Sequence, residues 1–185
     1  MRVPYLGVAK RHFIAFLFLL GLVLPQALTT AQAASCGGEG VVKAAAASFV
    51  AAKQAGTSEA FANAVAKYAD ITALALAALG PYRKELPAER QGEYVAKTKA
   101  YIGRFLLRHA SLVGQSNLKI DSCAGDLVKT SAGSSKLVWR VSGGRIRDVQ
   151  ASGIWLANQM RAKFVSEIRR GGHDKIDALF RFLGS

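Results

Sequence analysis

Arg145-Ile-Arg-Asp-Val-Gln-Ala-Ser-Gly-Ile-Trp-Leu-Ala-Asn-Gln-Met-Arg-Ala-Lys-Phe164 changes its repeat halfway along. Its first half reads as an edge of β-structure ending near Ala151. Its second half places Leu156, Met160 and Phe164 four residues apart, a spacing that Ile168 continues. Side chains at i and i+4 share one face of an α-helix, so this half predicts an amphipathic helix. Gly153 stands at the break, and the chain is expected to run through it straight from strand into helix.

Upstream of this stretch the short repeat continues. The runs 117–122, 126–130, 136–141 and 145–151 are separated by Ala-Gly, Ala-Gly-Ser-Ser and Gly-Gly. Leu137, Trp139 and Val141 alternate with Val138, Arg140 and Ser142, the period of a strand with one face covered. Gly143-Gly144 between two such runs is a two-residue hairpin signal. About four antiparallel strands are expected.

Before Gly114 the chain reads as helices. Residues 41–55 are Ala-rich, with Val42, Ala46, Phe49 and Val50 at helical spacing and Gly56 as a stop. Thr57 or Ser58 caps a second helix carrying Phe61, Val65 and Tyr68. Asp70 caps a short helix, 71–79, so uniformly apolar that burial on all sides is expected, and Gly80-Pro81 ends it. Pro87 suits the first position of a long helix reaching Val113, with Glu89 in its first turn. Beyond the tail helix, Gly171-Gly172 precedes a closing helix with Ile176, Leu179, Phe180 and Leu183. Helices, then a meander of strands, then helices define an α+β domain.

The first residues carry an export pattern. Arg2, Lys10 and Arg11 precede an apolar run from Phe13 to Leu24, and Ala31-Gln32-Ala33 has the small-x-small form of a signal peptidase site. Twelve residues of helix span about 18 Å, short of a hydrocarbon core of about 30 Å, which disfavours the competing reading of a retained anchor. Cleavage near Ala33 or Ala34 is expected, leaving one periplasmic domain, residues 34–185. A lipoprotein reading through Ser35-Cys36 is weaker, because Ala33 replaces the usual Leu. Removing the three leader cations from the formal +13 leaves +10 on the mature chain. Nucleic acid is a poor partner for an exported protein, so anionic headgroups or an acidic protein surface fit this charge better. The two cysteines, Cys36 and Cys123, both survive cleavage. In an oxidising compartment they suggest one disulfide, with two free thiols as the alternative.

Signals for catalysis are sparse. The mature chain has no GxSxG elbow, no HExxH and no glycine-rich phosphate loop. His109 and His173 lack metal-ligand spacing and read as surface histidines, one near a helix C-terminus and one at a helix start. Asp148 is the one carboxylate in the strand region besides Asp121 and Asp126. It has no visible acid partner for base chemistry. No catalytic residue, metal or cofactor is expected.

Several short motifs, in order, resemble the periplasmic phospholipid-shuttle family of the Mla pathway, once called toluene-tolerance auxiliary proteins. They are Gly80-Pro81-Tyr82, Pro87 to Gln91, Tyr94-Val95, and the series Asp148-Val149, Gly153, Leu156, Arg161, Phe164. The ending Gly171-Gly172 with Asp177 and Leu179 fits as well. The resemblance covers most of residues 34–185. It implies an NTF2-like α+β fold in which helices and a curved sheet enclose an apolar cavity for the acyl tails of a phospholipid. It also implies two partners, an inner-membrane ABC lipid transporter with an anchored ring subunit and an outer-membrane lipoprotein complex. The apolar residues expected to line the cavity are Tyr68, Ile71, Leu74, Tyr82, Tyr94, Tyr101, Phe105, Trp139, Val141, Leu156, Met160 and Phe164, with Trp155 closing the rim. Three features depart from the family pattern. The strand region looks compressed, Trp155 stands where a small Ser is usual, and the cysteine pair is not a hallmark. A narrower cavity follows, of a kind that suits the rigid polycyclic lipids of a branch associated with hopanoid-producing bacteria. The alternative function is a periplasmic protein-interaction module whose basic face, including Lys97, Arg104 and Arg108, docks an acidic surface.

Overall fold

Seven α-helices and a five-stranded antiparallel sheet make up residues 36–185, the part of the chain that the structure, a computed structural model, describes. The expected leader and its cleavage site lie outside the described residues. The order is α1 Glu39–Ala55, α2 Ser58–Tyr68, α3 Ile71–Leu79, α4 Gln91–Arg108, α5 Ala110–Val113, β1 Lys119–Ala124, β2 Leu127–Ala132, β3 Ser135–Ser142, β4 Arg145–Ala151, β5 Ile154–Trp155, α6 Leu156–Arg170 and α7 Lys175–Gly184. This is the α+β class that the sequence pattern defined.

The helix boundaries follow local chemistry. Gly56, at φ 67°, sends its N–H back to Ala52 and ends α1. The Thr57 hydroxyl accepts the N–H of Ala60 at 3.2 Å, and the Asp70 carboxylate accepts that of Ala73 at 2.9 Å. Helix α3 is buried along Ile71, Leu74, Ala75, Ala78 and Leu79, yet Thr72 and Ala73 face solvent. Its small residues let one side stay wet at little cost, so burial on all sides does not occur. The long helix expected from Pro87 to Val113 is broken at both ends. Pro87 is extended and precedes a 3₁₀ turn, Ala88–Arg90, so α4 starts at Gln91. His109 leaves the helical region at φ −113°, ψ 25° and divides α4 from α5.

The sheet is a simple meander in the order β1-β2-β3-β4-β5. Tight turns at Gly125, Gly133 and Gly143-Gly144 use the positive φ that glycine adopts without strain. The expected count of about four strands becomes five, and the tail stretch explains why. Ser152 and Gly153, both at positive φ, form a two-residue turn that pairs Gln150 with Trp155 and Ala151 with Ile154. Gly153 is therefore a hairpin turn, and β4 lies between two strands rather than at an edge. Leu137, Trp139 and Val141 face inward as their alternation predicts. The Trp139 indole N–H donates to the Thr130 hydroxyl at 2.9 Å. The register slips at Ile120/Ser122 and Arg140/Val141, irregularities of the kind that bend a strand.

Two aromatic groups organise the core. Phe49 of α1 stacks between Phe61 of α2 and Trp139 of the sheet, each at 6.4 Å between ring centres. Tyr94 of α4 meets Phe164 of α6 at 6.5 Å and Phe180 of α7 at 6.2 Å, and its hydroxyl donates to the Ala75 carbonyl at 2.7 Å. Helices α2 and α4 cross so closely at Gly103 that a Cβ there would stand 2.3 Å from the Ser58 carbonyl oxygen. Cys36 and Cys123 form a disulfide, with Cα atoms 5.9 Å apart, and so tie the start of α1 to β1.

Part of the basic surplus is structural. Arg104 donates to the Leu183 carbonyl at 2.6 Å, Arg145 to Ala69 at 2.7 Å, and Arg161 to Ala77 at 2.9 Å. Each guanidinium closes the C-terminal end of a helix, where carbonyls lack partners and cations are favoured. Arg147 pairs with Asp70, the cap of α3.

Candidate functional site: an apolar chamber

A chamber of about 280 Å³ lies between α1, α2 and the end of α4 on one side and β3, β4 and the start of α6 on the other. Phe49, Val65, Leu74, Ile102, Leu106, Leu137, Trp139 and Ile146 form its walls. The mouth is framed by Leu112 of α5 and Ile154 of β5. They are 43% and 57% exposed, two of the three exposed large apolar side chains among the described residues. His109, Ser152 and Gln159 add polar groups to the lining.

Asp148 is the one carboxylate on the chamber wall. It is only 9% exposed, and its Oδ1 accepts the N–H of Val149 at 2.9 Å and that of Ala157 at 3.2 Å. Helix α6 has no cap from its own preceding residue, Trp155. Asp148 therefore caps it from the neighbouring strand, taking the N–H that a local Asp or Ser usually takes. Burial pushes the Asp148 carboxyl above its ordinary value; the two N–H bonds and the charges of Arg140 and Arg161 act in the opposite direction. This geometry holds the start of the helix in place. Among the described residues no group of three His, Cys, Asp or Glu is placed to hold a metal ion.

His109 occupies a position that its sequence context did not suggest. Its ring stacks on Phe105 at 4.3 Å, and its Nδ1 lies 2.8 Å from the Phe105 carbonyl oxygen. The half-buried imidazole thereby joins the chamber wall instead of standing in solvent. His173 is exposed in the 3₁₀ turn Gly172–Asp174.

The residues expected to line a cavity divide into groups. Tyr68, Leu74, Phe105, Trp139 and Leu156 stand on the chamber wall. Tyr101, Phe105, Leu156 and Met160 line a second depression, open and of about 430 Å³, between α4 and α6. Ile71, Tyr94 and Phe164 belong to the packed core. Val141 lies under the start of α1, where a Cβ on Gly38 would approach it to 3.0 Å. Tyr82 sits in the 3₁₀ turn Gly80–Glu85, with the Lys175 ammonium 5.8 Å from its ring centre. Trp155, expected at the rim, is not among the residues that line the chamber; its ring lies 4.4 Å from the Arg140 guanidinium. The stripe Leu156, Met160, Phe164, Ile168 does share one face of α6, but only its first turn reaches the chamber. Farther along, Phe164 and Ile168 are fully enclosed where α6 packs on α3 and α7. Phe49, Val65, Ile102, Leu106 and Ile146 line the chamber and were not singled out, since nothing in a sequence separates a wall residue from a core residue.

An α+β domain whose helices and sheet surround an apolar chamber with an open mouth belongs to the class of cavity proteins. Within that class the assignment is direct: the sequence profile of the MlaC protein family matches residues 41–184, and the chain belongs to that family. The resemblance carried by the short motifs holds at this level. Among solved structures the chain is similar to a phospholipid-binding protein from Ralstonia solanacearum determined in complex with a phospholipid. The two are 19% identical, with a TM-score of 0.64, and the match covers 80% of this chain and 94% of the other. Comparison with curated proteins gives no match.

Proposed function

We propose that this chain is a lipid-binding carrier that holds acyl-chain cargo in the chamber and moves it across the periplasm. The observation that carries the reading is the chamber itself. Its wall is almost wholly apolar, and its mouth is framed by exposed Leu112 and Ile154. Burial of each CH₂ of a chain there contributes about 0.8 kcal/mol, so capture needs no catalytic group. Membership of the MlaC family and the fold shared with a phospholipid-binding protein support the same reading. The full proposal includes export through a leader cleaved near Ala33 and a single carrier domain, residues 34–185. It also includes exchange of lipid with an inner-membrane ABC transporter through its anchored ring subunit and with an outer-membrane lipoprotein complex. The competing module reading rests on a free basic face. Arg104 is already engaged at the end of α7, which weakens it.

Native mass spectrometry of protein purified from periplasm without detergent tests the reading. Stoichiometric lipid on the folded chain is expected. Repeated lipid-free preparations of folded protein would overturn it.

A further inference from the structure

We propose that the rim of the chamber mouth is a docking surface for an anionic lipid bilayer. Leu112 and Ile154 enter the headgroup boundary, and Lys67 and Arg108 meet the headgroup phosphates. The use of this surface rests on the carrier reading above, but its test reads docking separately from cargo.

Two narrow protrusions frame the mouth. One is α5, a single helical turn on which Ser111 and Leu112 are exposed. The other is the Ser152-Gly153 turn with Ile154 after it, all three exposed. Single exposed apolar side chains are ordinary on a protein surface. Here two of the three large ones among the described residues stand at one opening, brought there by elements far apart in sequence. Trp155, half-buried, follows Ile154 and carries the Arg140 guanidinium 4.4 Å from its ring centre. An indole beside a guanidinium suits the zone between hydrocarbon and water, where the ring sits among headgroups and the cation stays hydrated.

The charge beside the mouth has the complementary sign. Lys67 is exposed, and its ammonium lies 5.3 Å from the ring centre of Tyr68, a wall residue. Arg108 is exposed one turn beyond Phe105 and directly before His109, both on the wall. Lys53 reaches the Gly114 carbonyl, at the end of α5, at 3.4 Å. The neighbouring carboxylates are engaged. Asp148 is 9% exposed and takes two backbone N–H groups, Asp126 lies 3.5 Å from Arg140, and Asp70 pairs with Arg147. Attraction to an anionic bilayer decays within a Debye length, so the cations that count are those at the contact, as Lys67 and Arg108 are. Two small apolar points on either side of an opening give a second protein little flat area to cover, whereas each can sink among headgroups. With the mouth on the bilayer, an acyl chain passes between hydrocarbon and chamber wall without crossing bulk water.

The test is flotation of the chain, purified from periplasm, with phosphatidylcholine vesicles that contain or lack phosphatidylglycerol. Binding to the anionic vesicles is expected to exceed binding to phosphatidylcholine alone by about tenfold and to weaken as salt rises. Lys67→Ala with Arg108→Ala should lower it about tenfold, and Leu112→Ser with Ile154→Ser by about as much. Arg83→Ala with Lys84→Ala removes the same charge from the exposed 3₁₀ turn Gly80–Glu85, which does not line the chamber. That pair should leave binding within about twofold. Equal losses from the two charge pairs would trace the binding to the net charge of the whole chain and overturn the docking surface. Absence of binding to either vesicle overturns it as well. If the apolar pair fails to fold, the two charge pairs, all at exposed positions, decide the question alone. Native mass spectrometry of the same preparations keeps the two readings apart. A chain that carries lipid but does not float overturns the docking surface and leaves the carrier standing; one that floats at its mouth but carries no lipid does the reverse.

Discussion

The carboxylate of Asp148 accepts the backbone N–H of Ala157 at 3.2 Å, so that a strand residue caps the helix that begins eight positions after it. This contact fixes the start of α6 against β4 at the chamber wall, on which both Asp148 and Leu156 stand.

The cap makes a pH-dependent contribution whose sign follows from burial. Because the folded carboxyl is raised above its ordinary value, the native state holds this proton more tightly than the unfolded chain does. The contribution is fully present below the unfolded value of about 3.9 and is lost as pH rises through the folded value. Asp148→Asn keeps an oxygen acceptor for both N–H groups and removes this titration. Its unfolding free energy at pH 7 should match or exceed that of the parent. Asp148→Ala, which orphans the Ala157 N–H, should lose about 1 kcal/mol. Urea denaturation at several pH values between 4 and 7 reads both effects. A loss in Asp148→Asn as large as that in Asp148→Ala would show that the charge, rather than the oxygen, holds the helix.

The disulfide should be a large single stabiliser. It closes a loop of 87 residues between the start of α1 and β1. The chain-entropy account assigns such a loop about 4 kcal/mol. Cys36→Ser with Cys123→Ser is therefore expected to lower the denaturation midpoint strongly, and thiol counting on the native parent should find none free. Two titratable thiols in oxidised native protein would contradict the pairing.

Chamber wall and packed core should respond oppositely to added bulk. Leu156→Trp projects into empty space, so bound lipid should fall while the melting temperature changes little. Phe164→Trp presses on Tyr94, Tyr101 and Phe182 and should cost about 1–3 kcal/mol with lipid stoichiometry retained in whatever remains folded. Lipid content and melting temperature measured on the same two proteins separate the roles. Equal destabilisation by both substitutions would mean that Leu156 borders no usable space.

Sequence alone determined what depends on near neighbours in the chain. The α+β order, the caps at Thr57 and Asp70, the stops at Gly56 and Gly80, the inward alternation of Leu137, Trp139 and Val141, and the Gly143-Gly144 turn all arise within a few residues. Family motifs spaced along the chain were legible for the same reason. Tertiary structure decided the rest. Ile154 and Trp155 are a strand only because β4 supplies their partners, and two residues have no period to read. Gly103 looks like an ordinary weak point in a helix until α2 crosses it. Met160 and Phe164 share a stripe with Leu156, yet only Leu156 stands on the chamber wall: Met160 borders the depression between α4 and α6, and Phe164 packs against Tyr94, Tyr101 and Phe182. Periodicity states which face of a helix leaves water. Whether that face meets a close-packed neighbour or an empty space depends on the distance between elements remote in sequence, and only the folded chain sets that distance.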